Sequence, residues 1–253
     1  MKRRLNIAIP MAGAGKSFKE AGYTFPKPLI DINGKTMIQL VVENLKTKSN
    51  QRFIFICLKD LYDKYFLFDI FKKATRGRFE AVKLLAPTKG AACTVLTAID
   101  FINNTDELII ANADQIIDAS FDKFISFCRK SEADGVVMTF RSNHPRWSYA
   151  RVDKGGKVLE TAEKKVISDH ATVGLYYFKE GRMFVEGAKS TIEKDITFGN
   201  EFYVCPVFNE LILKGLKVKI WEIKERQMHS LGTPEDVGKY LTLLEKKGRR
   251  KAK

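Results

Sequence analysis

Leu5-Asn6-Ile7-Ala8-Ile9-Pro10 runs directly into Met11-Ala12-Gly13-Ala14-Gly15-Lys16-Ser17-Phe18. The first six residues form an apolar run of strand length, the pattern of a strand covered on both faces. The next eight are mostly small, so their backbone N–H groups can approach an anion closely and converge on a phosphate. A strand feeding such a loop is the opening unit of an α/β sheet. In such sheets ligands gather beyond the carboxyl ends of the strands.

Two phosphate-loop templates fail on this stretch. A Walker P-loop requires a glycine five positions before Gly15, where Pro10 stands. It also requires an unbroken helix after Lys16-Ser17, where Gly22, Pro26 and Pro28 intervene. A dinucleotide fingerprint requires a third glycine at the position of Phe18. Taken alone, Gly13-Ala14-Gly15 reads equally well as a tight turn with no ligand.

Outward from this unit, apolar β-rich runs alternate with helical periodicity. The pattern predicts strands over 5–10, 53–58, 81–85, 107–111 and 135–140, and helices over 36–45, 61–73, 91–101 and 121–130. Beyond residue 140 the character changes. Strands over 149–152 and 158–161 flank Asp153-Lys154-Gly155-Gly156, a hairpin signal, and a strand over 172–178 follows. A helix over 202–214, a strand over 218–223 and a helix over 234–244 complete the series. The last helix has Thr233 as N-cap, Pro234 in its first turn, and Glu235 and Asp236 complementing its dipole. The expected fold is α/β, with a mostly parallel but mixed central sheet and helices on both faces. One domain is expected over 1–245 with a small inserted β lobe over about 141–205, and a basic tail over 246–253.

Length and composition fit this reading. A chain of 253 residues buries roughly 70% of its unfolded surface, and no apolar run approaches the ~18 residues of a membrane span. The apolar stretch after Met1-Lys2-Arg3-Arg4 is too short for a signal-peptide core, so a cytoplasmic location is expected. Cys57, Cys93, Cys128 and Cys205 stand far apart, without the spacing of a zinc site or a disulfide framework. The net charge of +14 is concentrated at the ends. Residues 2–4 and 246–253 hold nine of the 44 basic residues, leaving 35 against 30 acidic ones. A modestly basic body suits phosphate-bearing small substrates, and no nucleic-acid partner is expected.

A larger block carries more specific information. Ala12-Gly13-Ala14-Gly15-Lys16-Ser17-Phe18, followed by Phe25-Pro26-Lys27-Pro28-Leu29 and Asn33-Gly34-Lys35-Thr36-Met37-Ile38, resembles the opening of the sugar-phosphate nucleotidyltransferases, which have a Rossmann-like fold. The resemblance extends over about residues 5–245. It implies that Met11, Ala12, Gly13, Ala14, Gly15, Lys16 and Ser17 hold a nucleoside triphosphate. Lys27 would contact phosphate, stiffened by its flanking prolines. Thr88-Lys89-Gly90-Ala91-Ala92 resembles the base-recognition segment, so Thr88, Gly90, Ala91 and Ala92 are implied there, together with Asn112. Asp114, after the strand over 107–111, is the implied Mg²⁺ ligand. Lys27, Asp114 and Lys16 are the implied catalytic groups. On the acceptor side the resemblance implies Tyr149, Ala150, Glu163, Lys164, Lys165, Gly174 and Glu201, with Lys164 gripping a phosphate and Tyr203 nearby.

Two positions depart from the family pattern. Ser17 stands where an arginine is usual, with Lys16 displaced by one residue and Lys19 close by. Ser230 stands two residues before Gly232, where a second carboxylate or amide metal ligand is usual, with His229 adjacent. The runs 8–13 and 24–28 resemble the family's branch associated with bacterial capsule genes. That resemblance implies CTP as nucleotide and an amino-acid amide phosphate, L-glutamine phosphate, as acceptor. Transfer of a cytidylyl, uridylyl or thymidylyl group to a sugar 1-phosphate, and a nucleotide-binding regulatory protein without catalysis, remain as alternatives at this point.

Overall fold

The computed structural model describes residues 3–251, with side chains described for 3–247. The chain runs β1 (Leu5–Pro10), α1 (Lys16–Glu20), β2 (Asp31–Ile32), β3 (Lys35–Thr36), α2 (Met37–Asn44), β4 (Gln51–Leu58), α3 (Lys59–Lys64) and α4 (Leu67–Thr75). It continues through β5 (Phe79–Leu84), α5 (Ala91–Leu96), α6 (Ile99–Ile102), β6 (Glu107–Ala111), β7 (Gln115–Ile117), α7 (Phe121–Lys130) and β8 (Gly135–Arg141). The remainder gives β9 (Tyr149–Val152), β10 (Val158–Ala162), β11 (His170–Phe178), α8 (Gly181–Glu193), α9 (Val207–Leu213), β12 (Val218–Glu222), β13 (Met228–Ser230) and α10 (Pro234–Lys251).

The main sheet has the order β10-β9-β11-β6-β1-β4-β5, extended by β8 on β11 and β12 on β8. Its centre is parallel, because β1 pairs in parallel with both β4 and β6, and β4 with β5. β11 runs antiparallel to β6 and β8. Side chains alternate across the sheet, and both faces are covered. Ile7, Ile9, Phe53 and Phe55 pack on one side under α2, α4 and α7. Ala8, Ile54, Ile56 and Ile110 pack on the other under α5, α8 and α9. This double covering explains why β1 and β6 read as nearly continuous apolar runs, interrupted only by the buried Asn6 and Glu107.

After β1 the chain builds β4 and β5 on one side and then returns to lay β6 on the other. The carboxyl ends of β1 and β6 therefore flank a topological switch point, where an open α/β sheet leaves a crevice. The loop after β1 and the loop after β6 face each other across it.

Several element expectations are corrected. The helix over 61–73 is two helices, α3 and α4, because the backbone reverses at Phe66, whose φ is +50°. The helix over 91–101 is likewise divided into α5 and α6. Helix α9 starts at Val207 after Pro206, five residues later than expected. The 13-residue α8 is absent from the expected series. Gly181 and Gly187 mask its stripe of Phe184, Val185, Ala188 and Thr191. The final helix, expected to end at 244, continues to Lys251, and Lys247 pairs with Asp118 at 2.7 Å. The tail residues 252–253 and the side chains of 248–251 lie outside the described residues. Among the described residues no helix is long and apolar enough to cross a membrane.

Candidate active site

Two cavities adjoin at the switch point. The first, of about 240 Å³, lies between the loop after β1 and the segment after β6; Met11, Gly13, Gly15, Lys27, Asn112 and Asp114 are among its walls. The Met11 N–H still bonds to the Ile56 carbonyl as β1 ends. Among the described residues, the N–H groups of Ala12, Gly13, Ala14 and Gly15 have no hydrogen-bond partner within the protein. A row of uncommitted amides at a cavity wall is an anion-binding device. Lys16 and Ser17 begin α1 and are exposed, and neither lines the cavity.

Lys27 is aimed by its surroundings. Pro26 is extended, and Lys27–Leu29 forms a single 3₁₀ turn, so the lysine stem is directed back over the sheet. Its Nζ donates a hydrogen bond to Asp114 Oδ2 and another to the Gly232 carbonyl at 3.2 Å. It also lies 5.6 Å from the Phe18 ring centroid. Both members of the pair are 23% exposed, which keeps them reachable. Asp114 is fixed from the other side, where the Leu231 N–H donates to its carbonyl at 2.7 Å. The short antiparallel ribbon of β7 and β13 brings Ser230 opposite Gln115.

The second cavity, of about 270 Å³, shares Ala91, Asn112 and Asp114 with the first. It adds Arg146, Glu163, Lys164, Gly174, Tyr203 and Ser230 from five separate stretches of chain. Gly174 is required where it stands. Its φ is +74°, and a Cβ there would lie 2.2 Å from Asn112 Nδ2. Burial raises the Glu163 carboxyl above its usual range, opposed in part by the Ser148 hydroxyl, which donates to Oε2 at 2.5 Å. Lys164 Nζ donates to the Tyr203 hydroxyl at 3.2 Å and lies 5.0 Å from that ring centroid, while the Tyr203 hydroxyl donates to Glu201 at 2.8 Å.

Not every expected residue reaches a cavity. Ala91 lines both, but Thr88, Gly90 and Ala92 line neither. Ala92 is fully buried, and its N–H is spent on the Phe202 carbonyl at 3.0 Å, so it has no amide left to read a base. Gly90 packs against the backbone of Phe202. Ala12 is buried, whereas Ala14 is exposed. Tyr149 and Ala150 are completely buried, and the Tyr149 hydroxyl donates to the His144 carbonyl at 2.8 Å. Tyr149 therefore pins the loop between β8 and β9 and does not face the cavity. Lys165 is exposed outside the cavity, and Glu201 touches it only through Tyr203. Arg146, Ser148 and Asp236 are functional-looking groups that the sequence did not reveal. Asp236 reads as a helix-dipole residue, and Arg146 sits in a loop whose course depends on Tyr149.

The oxygen donors around the junction limit how Mg²⁺ can be held. Among the described residues no group of three or more His, Cys, Asp or Glu side chains converges. Asp114 Oδ2, Asp236 Oδ2 and Ser230 Oγ lie 3.7, 3.5 and 3.2 Å from the point a Cβ on Gly232 would occupy. Asp236, however, is committed to Arg146, and His229 is turned to Asp118 at 3.1 Å. Asp114, paired with Lys27 but more exposed than Asp236, is one carboxylate at the cavity wall, which fits Mg²⁺ held by protein and substrate oxygens together once Lys27 turns away, and does not fit an all-protein cage.

Comparison with known proteins gives this geometry its context. The chain is 26% identical to a nucleoside-diphosphate-sugar pyrophosphorylase of Vibrio cholerae RC9 and superposes on it with a TM-score of 0.80, covering 93% of this chain and 99% of that one. It also shares its fold with the inositol-1-phosphate CTP transferase of T. maritima, at TM-score 0.73 and 15% identity over 95% of each chain. Among curated proteins it is 24% identical over 241 residues to the bifunctional protein GlmU of Methanocaldococcus jannaschii, covering 90% of this chain and 54% of that protein. It is 27% identical over 179 residues to the 2-aminoethylphosphonate cytidylyltransferase of Lancefieldella rimae, covering 69% of this chain and 67% of that protein. The chain thus spans about half the length of the first of these relatives and two thirds of the second. The model of the nucleotidyl transferase family matches residues 8–204, most of the chain and nearly all of both cavities. The chain belongs to the nucleotidyl transferase family.

Proposed function

We propose that this protein transfers CMP from CTP to a phosphorylated small molecule, releasing pyrophosphate. The observation that carries this reading is the junction of the two cavities. They share Asp114, and the Lys27–Asp114 pair stands between the free amides of one and the side-chain groups of the other. Two substrates bound in these cavities would meet at that junction.

An acceptor phosphate oxygen in the second cavity attacks the α-phosphorus of the triphosphate in the first. A new P–O bond forms, the bond to the β-phosphate oxygen breaks, and pyrophosphate carries away the electron pair. No covalent intermediate on the enzyme is needed. The residues act by orientation and by neutralising charge. The amides of Ala12 to Gly15 cradle the triphosphate, Lys27 turns from Asp114 toward the phosphates, and Lys164 meets the acceptor phosphate. Asp114 would hold Mg²⁺ with the triphosphate oxygens, where the ion would supply further charge neutralisation. Lys16, at the mouth of the loop, is exposed and free to approach the leaving pyrophosphate.

The choice of CTP and of an acceptor other than a sugar is supported by the similarity to the 2-aminoethylphosphonate cytidylyltransferase. L-Glutamine phosphate, in a capsule or surface-polysaccharide precursor route in the cytoplasm, is the acceptor proposed here. Glu163 and the Tyr203 hydroxyl provide polar partners for an amide-bearing chain. The similarity to the Vibrio pyrophosphorylase favours a second reading, with a sugar 1-phosphate as acceptor. Pyrophosphate release, measured with four triphosphates against L-glutamine phosphate, 2-aminoethylphosphonate and several sugar 1-phosphates, decides between them. Turnover with CTP and glutamine phosphate is expected. Turnover only with a sugar 1-phosphate establishes the second reading, and triphosphate binding without any product overturns both.

A further inference from the structure

Arg146 lies in the loop between β8 and β9, at the wall of the second cavity. Its guanidinium is held on three sides. It stacks over the Trp147 ring at 4.4 Å, its Nη2 and Nη1 donate to the two oxygens of Asp236 at 2.6 and 3.3 Å, and Nη2 donates to Ser230 Oγ at 3.2 Å. Ser230 Oγ in turn donates to Asp236 Oδ2 at 2.9 Å. Burial alone would raise the Asp236 carboxyl, but the bonds from Arg146 and Ser230 hold it below the usual carboxylate range, so the clamp stays ionised. Of the five N–H donors of a guanidinium, these contacts use three. Nε–H and one N–H of Nη1 have no partner among the described residues.

Resting on the nucleotidyl-transfer reading above, we infer that Arg146 is a second phosphate-binding cation of the acceptor cavity, held in place by Asp236 and Ser230. A phosphomonoester brings close to two negative charges into the cavity, and the other cation lining it, Lys164, is exposed and rests on a tyrosine hydroxyl. A planar guanidinium with two free, ordered donors suits a tetrahedral oxyanion better than a mobile ammonium does. Asp236 and Ser230 act as positioning residues: Ser230 braces the clamp from the position where a metal ligand is usual in the family. This leaves Asp114 as the protein's carboxylate for Mg²⁺.

Arg146→Ala, Arg146→Lys and Asp236→Asn are compared with the wild type in pyrophosphate release, varying acceptor, triphosphate and Mg²⁺ separately. Arg146→Ala is expected to raise the acceptor KM about 10- to 100-fold, the worth of a charge-assisted hydrogen-bond pair. The triphosphate KM and the Mg²⁺ requirement are expected to stay within about twofold. Arg146→Lys should recover part of the loss, and Asp236→Asn should give a smaller rise in the same constant. Because Arg146→Ala strands a buried carboxylate, the Arg146→Ala/Asp236→Asn double variant is run beside it and should match Arg146→Ala in acceptor KM. A raised Mg²⁺ requirement in Asp236→Asn with an unchanged acceptor KM in Arg146→Ala would overturn the inference and make Asp236 a metal ligand. If the wild type yields no product with any acceptor, the functional reading fails by itself. Calorimetric titration of inorganic phosphate into wild type and Arg146→Lys then tests Arg146 separately, and equal affinities overturn it.

Discussion

The two walls of the site are built in opposite ways. The first cavity is a main-chain construction: loop amides after β1, a proline-stiffened turn at Lys27 and the strand end at Asn112 to Asp114 supply its polar groups. The second is a side-chain construction, with Arg146, Glu163, Lys164 and Tyr203 brought together from distant stretches around the bulged strand β11. The volumes are similar, about 240 and 270 Å³. A main-chain wall accepts many substitutions because amides survive a change of side chain. A side-chain wall changes its ligand whenever one residue changes. On the proposed reading, the triphosphate would meet the main-chain wall and the acceptor the side-chain wall.

The comparison fails most visibly at the junction, where both walls depend on two side chains. Lys27→Ala and Asp114→Ala should each lower the pyrophosphate-release rate about 100- to 1000-fold, the usual cost of losing one preorganised charge stabiliser. Circular dichroism should show the fold intact, and near-normal rates for both would show that the junction is not the reaction centre.

Gly174→Ala tests the bulge that separates the walls. Its Cβ would enter the space of Asn112 Nδ2 and Gln115 Oε1, with a strained backbone as well, so a stability loss of about 1–3 kcal/mol is expected in urea unfolding. Acceptor and triphosphate KM should both worsen, because Asn112 lines both cavities.

A smaller, one-sided effect is expected of Lys164→Ala, about a tenfold rise in acceptor KM with the triphosphate KM unchanged. By contrast, Ser17→Ala at the start of α1 should leave both constants within about twofold, since its exposed side chain lines neither cavity. A tenfold loss in Ser17→Ala would erase the distinction between the walls.

Glu163→Gln sharpens the acceptor wall through pH. Burial raises the Glu163 carboxyl in the folded state, so the folded protein binds that proton more tightly than the unfolded chain does. Stability attributable to this group is present below the ordinary glutamate pKa and is lost as pH rises through the raised value. At neutral pH the ionised form is a cost that Gln lacks. Glu163→Gln should therefore raise the Tm at pH 7, with the gain vanishing below about pH 4, while weakening acceptor binding. A Tm gain equal at both pH values would exclude the buried carboxylate as its cause.

How legible each wall was in the sequence follows from the same contrast. Lys27 and Asp114 were reached through the family resemblance of the blocks that hold them, and the structure sets them on a proline-flanked turn and just past the end of a buried strand. Tyr149 was misplaced because alternation along β9 cannot say which face opens on a cavity and which packs inward, and its ring is buried with its hydroxyl on His144. Ala92 was misplaced because helix α5 turns its amide to Phe202, a residue 110 positions away. Arg146 and Asp236 were invisible because the first is oriented only by the second, 90 positions later.

By itself, the sequence determined the doubly covered parallel centre of the sheet and the loop at its switch point. Those follow from side-chain periodicity and from backbone chemistry within a few residues, which operate before the chain has closed on itself. Tertiary structure alone decided the side-chain wall of the second cavity, the division of the helix at Phe66, the late start of α9 after Pro206, and the clamp around Arg146. Each of these depends on a partner brought close only when the sheet is assembled, and no local pattern records which buried side chain will meet which charge.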